Sequence, residues 1–349
     1  MTTIIGSAAL SPIVTGALLY AITKGPPSIR LPIIERLRII LSPTNVGRAV
    51  TALKWLFALG LFKNVNTLLS ELAQNSWSLS SPKSDWVWDR ELAVVTGASG
   101  GFGSLISKGL AAKGVRVVAL DVVDLPEDMK SHPSITFHKC DIADPEAVKA
   151  TAQTIRDTIG DPSILINNAG IANNTPIMSL SPQQLRKIFD INLLSHYYLL
   201  QSFLPAMISK KKGHVVAIAS MASFVTAPRM SDYSATKAGV LCLHEALGQE
   251  LKAFHGTSTS QIRLTVVHPT FARTAILAGK EELLERAGLQ ILAPEVVADA
   301  VVKQVLSGRG GQLILAGNLG PVSGIRSWSQ WLQEILRGRM FSDELIAAD

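Results

Sequence analysis

The chain has little of what staples a fold covalently. Two cysteines occur in 349 residues, Cys140 at the end of an apparent buried strand and Cys242 in a helical stretch. Neither suggests a disulfide framework or a metal site, and a reducing compartment is the simpler reading. No metal is expected. Internal repeats and low-complexity tracts are also missing. Charge is nearly absent as a net quantity from most of the chain. The formal balance is +6, and residues 1–63 alone hold Lys24, Arg30, Arg36, Arg38, Arg48, Lys54 and Lys63 against Glu35, so residues 64–349 sum to zero. Nucleic-acid binding needs a basic face on the folded domain. The neutral body supports none, and no nucleic-acid partner is expected. Met1-Thr2-Thr3 carries no side-chain charge, unlike the basic start of a secretory signal peptide. A retained segment is therefore expected rather than a cleaved one.

What is present begins with an apolar arm. Ile4 to Thr23 is uncharged, interrupted only by Pro12 and followed by Lys24, long enough to span or enter a bilayer. Ala49 to Phe62 holds Leu53, Trp55, Leu56, Phe57, Leu59, Leu61 and Phe62 around Lys54, with Arg48 and Lys63 at its flanks. It suits an interfacial helix, and packing on the core or a dimer contact is the alternative. Basic residues after the first segment place the rest of the chain on the cytosolic side, at the endoplasmic reticulum or a lipid droplet in a eukaryote. The expected division is a membrane-anchoring arm at 1–63, a connector at 64–90, a main domain at 91–320 and an amphipathic C-terminal helix and tail at 321–349. The connector holds Pro82 and the tryptophans Trp77, Trp86 and Trp88, which fasten the arm to the domain or sit at a membrane interface.

Beyond residue 91 the pattern predicts strands at Leu92–Thr96, Arg116–Leu120, Ile135–Cys140, Ile164–Ile166, Val215–Ile218, Leu264–Val267 and Leu313–Leu315. Helices such as Gly101–Lys113 and Pro145–Ile159 alternate with them, giving an α/β fold with a doubly wound parallel sheet of the Rossmann type. Thr96-Gly97-Ala98-Ser99-Gly100-Gly101-Phe102-Gly103 falls on the first strand-to-helix turn. Glycines there let the backbone approach a pyrophosphate, and the helix start offers free N–H donors. Asp121 follows the second strand, placed to accept from ribose hydroxyls and repel a 2′-phosphate. With Val122 beside it and no Arg or Lys in 97–103, NAD(H) is favoured over NADP(H). A solvated loop aspartate is the alternative. Asp141, with Ile142, ends the third strand near an expected adenine, and Asn167-Asn168-Ala169-Gly170 ends the fourth, where the glycine lets a cofactor pass unless the run is an ordinary turn.

Tyr233 and Lys237 lie four residues apart, with Ser220 thirteen residues before Tyr233. One helical turn puts both side chains on one face, and an ammonium there can stabilise a phenolate and lower a pKa that is about 10 when unperturbed. The tyrosine could then exchange a proton with an alcohol or carbonyl.

Together these motifs, with Asn192 in Asp190-Ile191-Asn192, resemble the short-chain dehydrogenase/reductase family over about residues 91–320, and more loosely its membrane-associated retinol and 17β-hydroxysteroid dehydrogenase branch. The resemblance implies that Tyr233 is the general acid/base and that Ser220 hydrogen-bonds the substrate oxygen. It implies that Lys237 holds the nicotinamide ribose and tunes Tyr233, and that Asn192 positions a water joining Lys237 to solvent. Thr96, Gly97, Ser99, Gly101, Phe102, Gly103, Asp121, Asp141, Ile142, Asn168, Ala169, Gly170, Tyr233, Lys237, Pro269 and Thr274 are the implied cofactor contacts. One departure stands out. The family commonly has Pro-Gly after the sixth strand, whereas this chain has His268-Pro269-Thr270, so a reshaped loop is expected there. His268 reads as packing or as a substrate-rim group. Ala275, Ile276, Leu277, Leu283, Leu284, Leu289, Ile291 and Leu292, among the charges of Lys280, Glu281, Glu282, Glu285 and Arg286, suggest a lid with an apolar face or plain core packing. Ile325–Leu336, with Trp328, Trp331, Leu332 and Ile335, reads as an amphipathic helix for a membrane or a partner subunit. Coupled to the arm, the lid points to a lipophilic alcohol or ketone substrate at a membrane or lipid-droplet surface, with a homodimer possible. A ketoreductase of a specialised-metabolite pathway and a non-catalytic lipid-surface scaffold are the alternatives, the second opposed by the intact Asn192, Ser220, Tyr233 and Lys237 set.

Overall fold

The computed structural model describes residues 9–40, 43–78, 85–259, 261–279, 281–286 and 288–340. The start of the apolar segment at residues 1–8, Pro82 in the connector, Lys280 in the lid and the tail at 341–349 lie outside the described residues. Two compact units divide the chain, Met1–Ala73 and Gln74–Asp349.

In the first unit Pro12 opens a helix instead of interrupting one. Helix α1 (Pro12–Thr23) is 12 residues long, with Ser11 as its N-cap and proline in its first turn, where a missing N–H costs nothing. Twelve residues rise only about 18 Å, against an apolar bilayer core of about 30 Å. No helix among the described residues is long and apolar enough to cross a membrane, which corrects the spanning expectation for Ile4–Thr23 over its described part. Helix α2 (Pro27–Ile40) follows, then α3 (Pro43–Gln74). The stretch Ala49–Phe62 is thus the middle of a longer helix, which runs on through residues 64–74. Asn and Ser content does not break it, because Thr67 Oγ1 donates to the Lys63 carbonyl (3.0 Å) and Ser70 Oγ to that of Asn66 (2.8 Å), bonds made within the helix. α1 and α3 meet through glycine. A Cβ on Gly16 would stand 3.0 Å from the Phe57 ring, and one on Gly60 would overlap the Leu10 carbonyl.

The second unit is a seven-stranded sheet. Its strands are β1 (Leu92–Thr96), β2 (Arg116–Asp121), β3 (Ile135–Lys139), β4 (Ile164–Asn167), β5 (Gly213–Ile218), β6 (Ile262–Pro269) and β7 (Gly311–Leu315). They run parallel in the order β3-β2-β1-β4-β5-β6-β7. Continuous runs of Val, Ile, Leu and Ala in β1, β4 and β5 are buried along their whole length, as a sheet covered on both faces requires. The helices are α4 (Gly101–Ala111), α5 (Glu127–Lys130), α6 (Pro145–Thr158), α7 (Pro182–Phe189), α8 (Ser195–Ser209), α9 (Ser231–His255), α10 (Glu281–Arg286), α11 (Pro294–Leu306) and α12 (Gln330–Met340). One apolar layer joins Ile106, Leu110, Val297 and Val301 to the sheet; the other joins Val148, Ile155, Leu199 and Phe203. Trp86 is buried and stacks on Trp88 with ring centroids 5.4 Å apart, both within this unit, whereas Trp77 is exposed. At the C-terminal end Gly317–Ser327 winds as a 3₁₀ run containing Pro321, and α12 starts only at Gln330. Ile325 therefore lies fully buried outside the helix predicted to contain it. Strand order reverses between β1 and β4, which opens a crevice at their carboxyl ends.

Candidate functional site

The crevice begins at the turn from β1 into α4. Gly97 (φ 64°) and Gly101 (φ 52°) take left-handed backbone, which L side chains adopt at a cost. A side chain on Gly103 would collide with the Gly97 carbonyl. The turn can therefore hold no bulk, and it presents the unpaired N–H groups of a helix start. Ser99 N–H (2.9 Å) and Val123 N–H (3.1 Å) both donate to the Asp121 carboxylate, which fixes it at the tip of β2 beside the turn. Asn168 Nδ2 donates to the carbonyls of Thr96 (2.9 Å) and Gly97 (3.2 Å), while Thr96 Oγ1 accepts from the N–H groups of Asn168 and Ala169. These bonds lock β4 to the glycine turn. Asp141 accepts from Ala143 N–H (3.0 Å) at the end of β3, with Ile142 buried next to it. A bulk-free glycine turn at a helix start, with a fixed carboxylate at the next strand end, fits a dinucleotide.

On the other side of the crevice, Ser220 leaves β5 in extended backbone (φ −168°) and its Oγ accepts from Ala222 N–H (3.1 Å). Tyr233 and Lys237 project from α9 one turn apart, 9 % and 3 % exposed. The Ser220 hydroxyl donates to the Pro269 carbonyl (3.5 Å) and lies close enough to the Tyr233 phenol to favour its ionised form. Lys237 Nζ donates to the Ile218 carbonyl (2.8 Å) and stands 5.7 Å from the Tyr233 ring centroid. Burial pushes the Tyr233 phenol up, with the Ser220 hydroxyl opposing it, and burial lowers Lys237 to about 8. Lys237 is not among the influences on the Tyr233 phenol in this geometry, where Nζ donates to the Ile218 carbonyl.

Asn192 sits in a π-helical segment, Asp190–Leu194, between α7 and α8. Its Oδ1 accepts from Ile171 N–H (2.8 Å), and its Nδ2 donates to the Ile171 carbonyl (2.8 Å) and to Thr236 Oγ1 (3.2 Å). The side chain thus ties the loop after β4 to α9. A Cβ on Gly170 would lie 3.5 Å from Lys237 Nζ, so that glycine keeps the approach to the ammonium open.

These elements enclose a cavity of about 400 Å³ that brings Phe102, Asn168, Gly170, Ser220, Tyr233, Lys237, Pro269 and Thr274 to one wall system. Asn192, Asp121, Asp141 and the remaining expected contacts are not on its wall. From the lid, Ile276, Leu277, Leu284 and Leu289 line it, although the only lid helix among the described residues is the six-residue α10. Residues that sequence reasoning missed include Asn174 and Arg229, both at the wall and both in left-handed backbone (φ 54° and 64°), and Leu319 and Val322 from the 3₁₀ run. Asn174 carried a signal, since asparagine tolerates that conformation. Thr270 needs no glycine: its N–H donates to the Leu315 carbonyl (2.9 Å) and continues the β6–β7 ladder. His268 is fully buried and absent from the cavity wall, so the rim position is corrected.

The profile of the family described as short chain dehydrogenase matches residues 91–284. Dehydrogenase RED2 of Cochliobolus heterostrophus is 36% identical over 210 residues, 60% of this chain and 77% of the relative. Epidermal retinol dehydrogenase 2 of Mus musculus is 31% identical over 224 residues, 62% of this chain and 71% of that protein. Among solved structures, a metagenomic short-chain oxidoreductase in complex with NADP aligns at a TM-score of 0.52 with 26% identity, over 64% of this chain and 96% of that one. With more than half of its length matched, the chain belongs to the short-chain dehydrogenases, oxidoreductases that work on CH–OH donors with nicotinamide cofactors.

Proposed function

We propose that this protein interconverts a lipophilic alcohol and its carbonyl, using NAD(H) in preference to NADP(H), while its helical arm rests on a lipid surface. The observation that carries the reading is the cavity: apolar walls from Val225, Ile276, Leu277, Leu284 and Leu289 converge on the polar pair Ser220–Tyr233. Such a wall favours substrate carbon skeletons by the area they bury, and one polar corner fixes which oxygen reacts.

The residues suited to hold the dinucleotide are Gly97, Ser99, Gly101 and Gly103 at the phosphates, Asp121 at the adenosine ribose, Asp141 and Ile142 toward the adenine, and Asn168, Ala169, Gly170, Pro269, Thr274 and Lys237 toward the nicotinamide. When bound, the nicotinamide supplies or accepts the hydride. Tyr233 exchanges the proton at the substrate oxygen, and Ser220 Oγ, beside the phenol at the cavity wall, shares that oxygen's developing charge. Lys237, charged at neutral pH by its position near 8, places positive potential at the cofactor end. Asn192 ties the loop after β4 to α9 through Ile171 and Thr236, with both Nδ2 hydrogens used and one Oδ1 lone pair left to accept from a water. NAD(H) preference rests on the Asp121 carboxylate, held by two main-chain N–H groups at the turn. Surface attachment rests on large apolar side chains left open in the first unit: Ile13, Tyr20, Trp55 and Phe62 are all more than half exposed, among the basic residues of α2 and α3.

A panel of sterols, retinoids, fatty alcohols and water-soluble ketones, followed by NADH and NADPH absorbance, tests the reading. Turnover is expected on lipophilic members with NAD(H). Faster turnover of small polar ketones or sugars would overturn the lipophilic assignment.

A further inference from the structure

We propose that His268 is a positioning residue for the reaction, setting Ser220 from behind the cavity through its imidazole. This rests on the acid/base reading of Ser220 and Tyr233 given above. Strand β6 carries His268 beside the end of β5, where ladder bonding between the two strands stops at Ala219 N–H to the Val267 carbonyl (2.8 Å). One residue later the ring takes over the work of the ladder: His268 Nδ1 lies 3.1 Å from the Ser220 carbonyl oxygen. A carbonyl can only accept, so the ring hydrogen sits on Nδ1. Nε2 then has a lone pair, and it meets the side-chain amide nitrogen of Gln312 at 3.1 Å, a donor that holds the ring in this tautomer. Phe224 packs on the ring at 4.5 Å between centroids and fixes its plane.

The other side of Ser220 is also tied. Its carbonyl accepts from Ser223 N–H (3.0 Å), Ser223 Oγ donates to the Lys237 carbonyl (2.9 Å), and Arg326 Nε donates to the Phe224 carbonyl (3.1 Å). Those bonds tie the short turn to α9 and to the C-terminal run; toward β6, the His268 imidazole holds the Ser220 carbonyl, and the Ser220 hydroxyl donates to the Pro269 carbonyl (3.5 Å). Burial keeps the imidazole neutral, lowering it to about 4, so the single Nδ1 hydrogen persists across the working pH range. Removing the imidazole leaves the Ser220 carbonyl with its Ser223 donor, so no buried acceptor is orphaned. The damage should be to geometry, and small displacements of a group that touches the reacting oxygen are costly in rate.

The test compares His268→Phe and His268→Ala, which delete the donor with and without the ring, and His268→Asn, whose amide nitrogen restores a donor close to the position of Nδ1. Both donorless enzymes should lose about 10-fold in kcat, while NADH affinity stays within about 2-fold and the pH midpoint for alcohol oxidation moves up by about half a pH unit as Tyr233 loses support from Ser220. His268→Asn should recover most of the rate and the original midpoint. If a folded His268→Phe or His268→Ala turns over like the parent, or if His268→Asn is as slow as His268→Ala, the positioning role is wrong. Tyr233→Phe run alongside separates the two readings: a fully active Tyr233→Phe enzyme removes the acid/base assignment itself, whatever His268 does.

Discussion

Tyr233 keeps its proton because burial disfavours the phenolate, and the Ser220 hydroxyl is the influence that opposes this. Tyr233→Phe preserves the ring and deletes the proton, so kcat should fall by roughly 10² or more with NADH binding retained; stopped-flow binding beside steady-state rates checks both halves. Asp121 makes its case through charge. Asp121→Ser removes the repulsion toward a 2′-phosphate and should improve NADP(H) use relative to NAD(H) by roughly 1–3 kcal/mol of discrimination, read as the ratio of kcat/KM values. A parent enzyme that already prefers NADP(H) would end that assignment. The residues of the proposed chemistry could be named from the sequence because that chemistry demands particular side chains at particular spacings. Arg229 could not, and Asn174 offered only its tolerance of left-handed backbone, since their place at the cavity wall comes from loop closure in three dimensions and their spacing to the motifs carries no chemistry.

Among the elements, strands were easier to read than helix ends. The apolar runs of β1, β4 and β5 have one physical cause, burial on both faces, and a run of Val and Ile advertises it. Polar strand ends are harder. β4 reaches Asn167 and β6 runs from Ile262 to Pro269, because ladder pairing with neighbours pulls in residues that composition alone assigns to loops. Helix α3 overran the expected connector for the matching reason, its Thr67 and Ser70 hydroxyls being satisfied by carbonyls one turn back. The glycine turn into α4 carries a sharper expectation. Gly103→Val should abolish nucleotide binding, since any Cβ there meets the Gly97 carbonyl, whereas Gly100→Ala, with open space around a Cβ and φ near −159°, should bind almost normally. Isothermal titration with NADH distinguishes them, and a folded Gly103→Val that binds NADH like the parent would mean the turn is not the phosphate site.

For the whole molecule, two measurements follow. Deleting residues 1–73 should leave a soluble protein that binds NADH, because the unit from Gln74 onward keeps Asn75, whose side-chain amide donates to the Gly310 carbonyl (3.1 Å) and accepts from Gly310 N–H (2.9 Å). The full chain should sediment with anionic vesicles and resist washing at about 1 M salt, which screens charge and leaves apolar burial; a full chain left in the supernatant would remove the surface reading. The second measurement is acid stability. Burial lowers His196 and His214 to about 3 and His244 and His268 to about 4, while the unfolded chain binds these protons near 6.5. Stability is therefore intact above pH 6.5 and lost as pH falls from there toward 4, by up to about 1.4 kcal/mol per pH unit for each histidine. Thermal melts across pH 7 to 4 should fall steeply, and a flat Tm over that window would show that these rings are not held neutral.

The strand order also bears on how the chain is made. As a ribosome delivers it, β1, β2 and β3 can pair outward in one direction, yet the inner edge of β1 stays open until β4 arrives some seventy residues later, and from there the sheet grows the other way to β7. A nascent chain halted before Ile164 thus exposes an apolar, unpaired strand edge, the surface that invites aggregation. Pairing across long sequence gaps is slow to form. The centre of this sheet, where the nucleotide would sit, is finished by a strand from the second half of the fold, so holdase chaperones should engage the chain during the interval between β3 and β4, and the nucleotide crevice cannot exist before that interval closes.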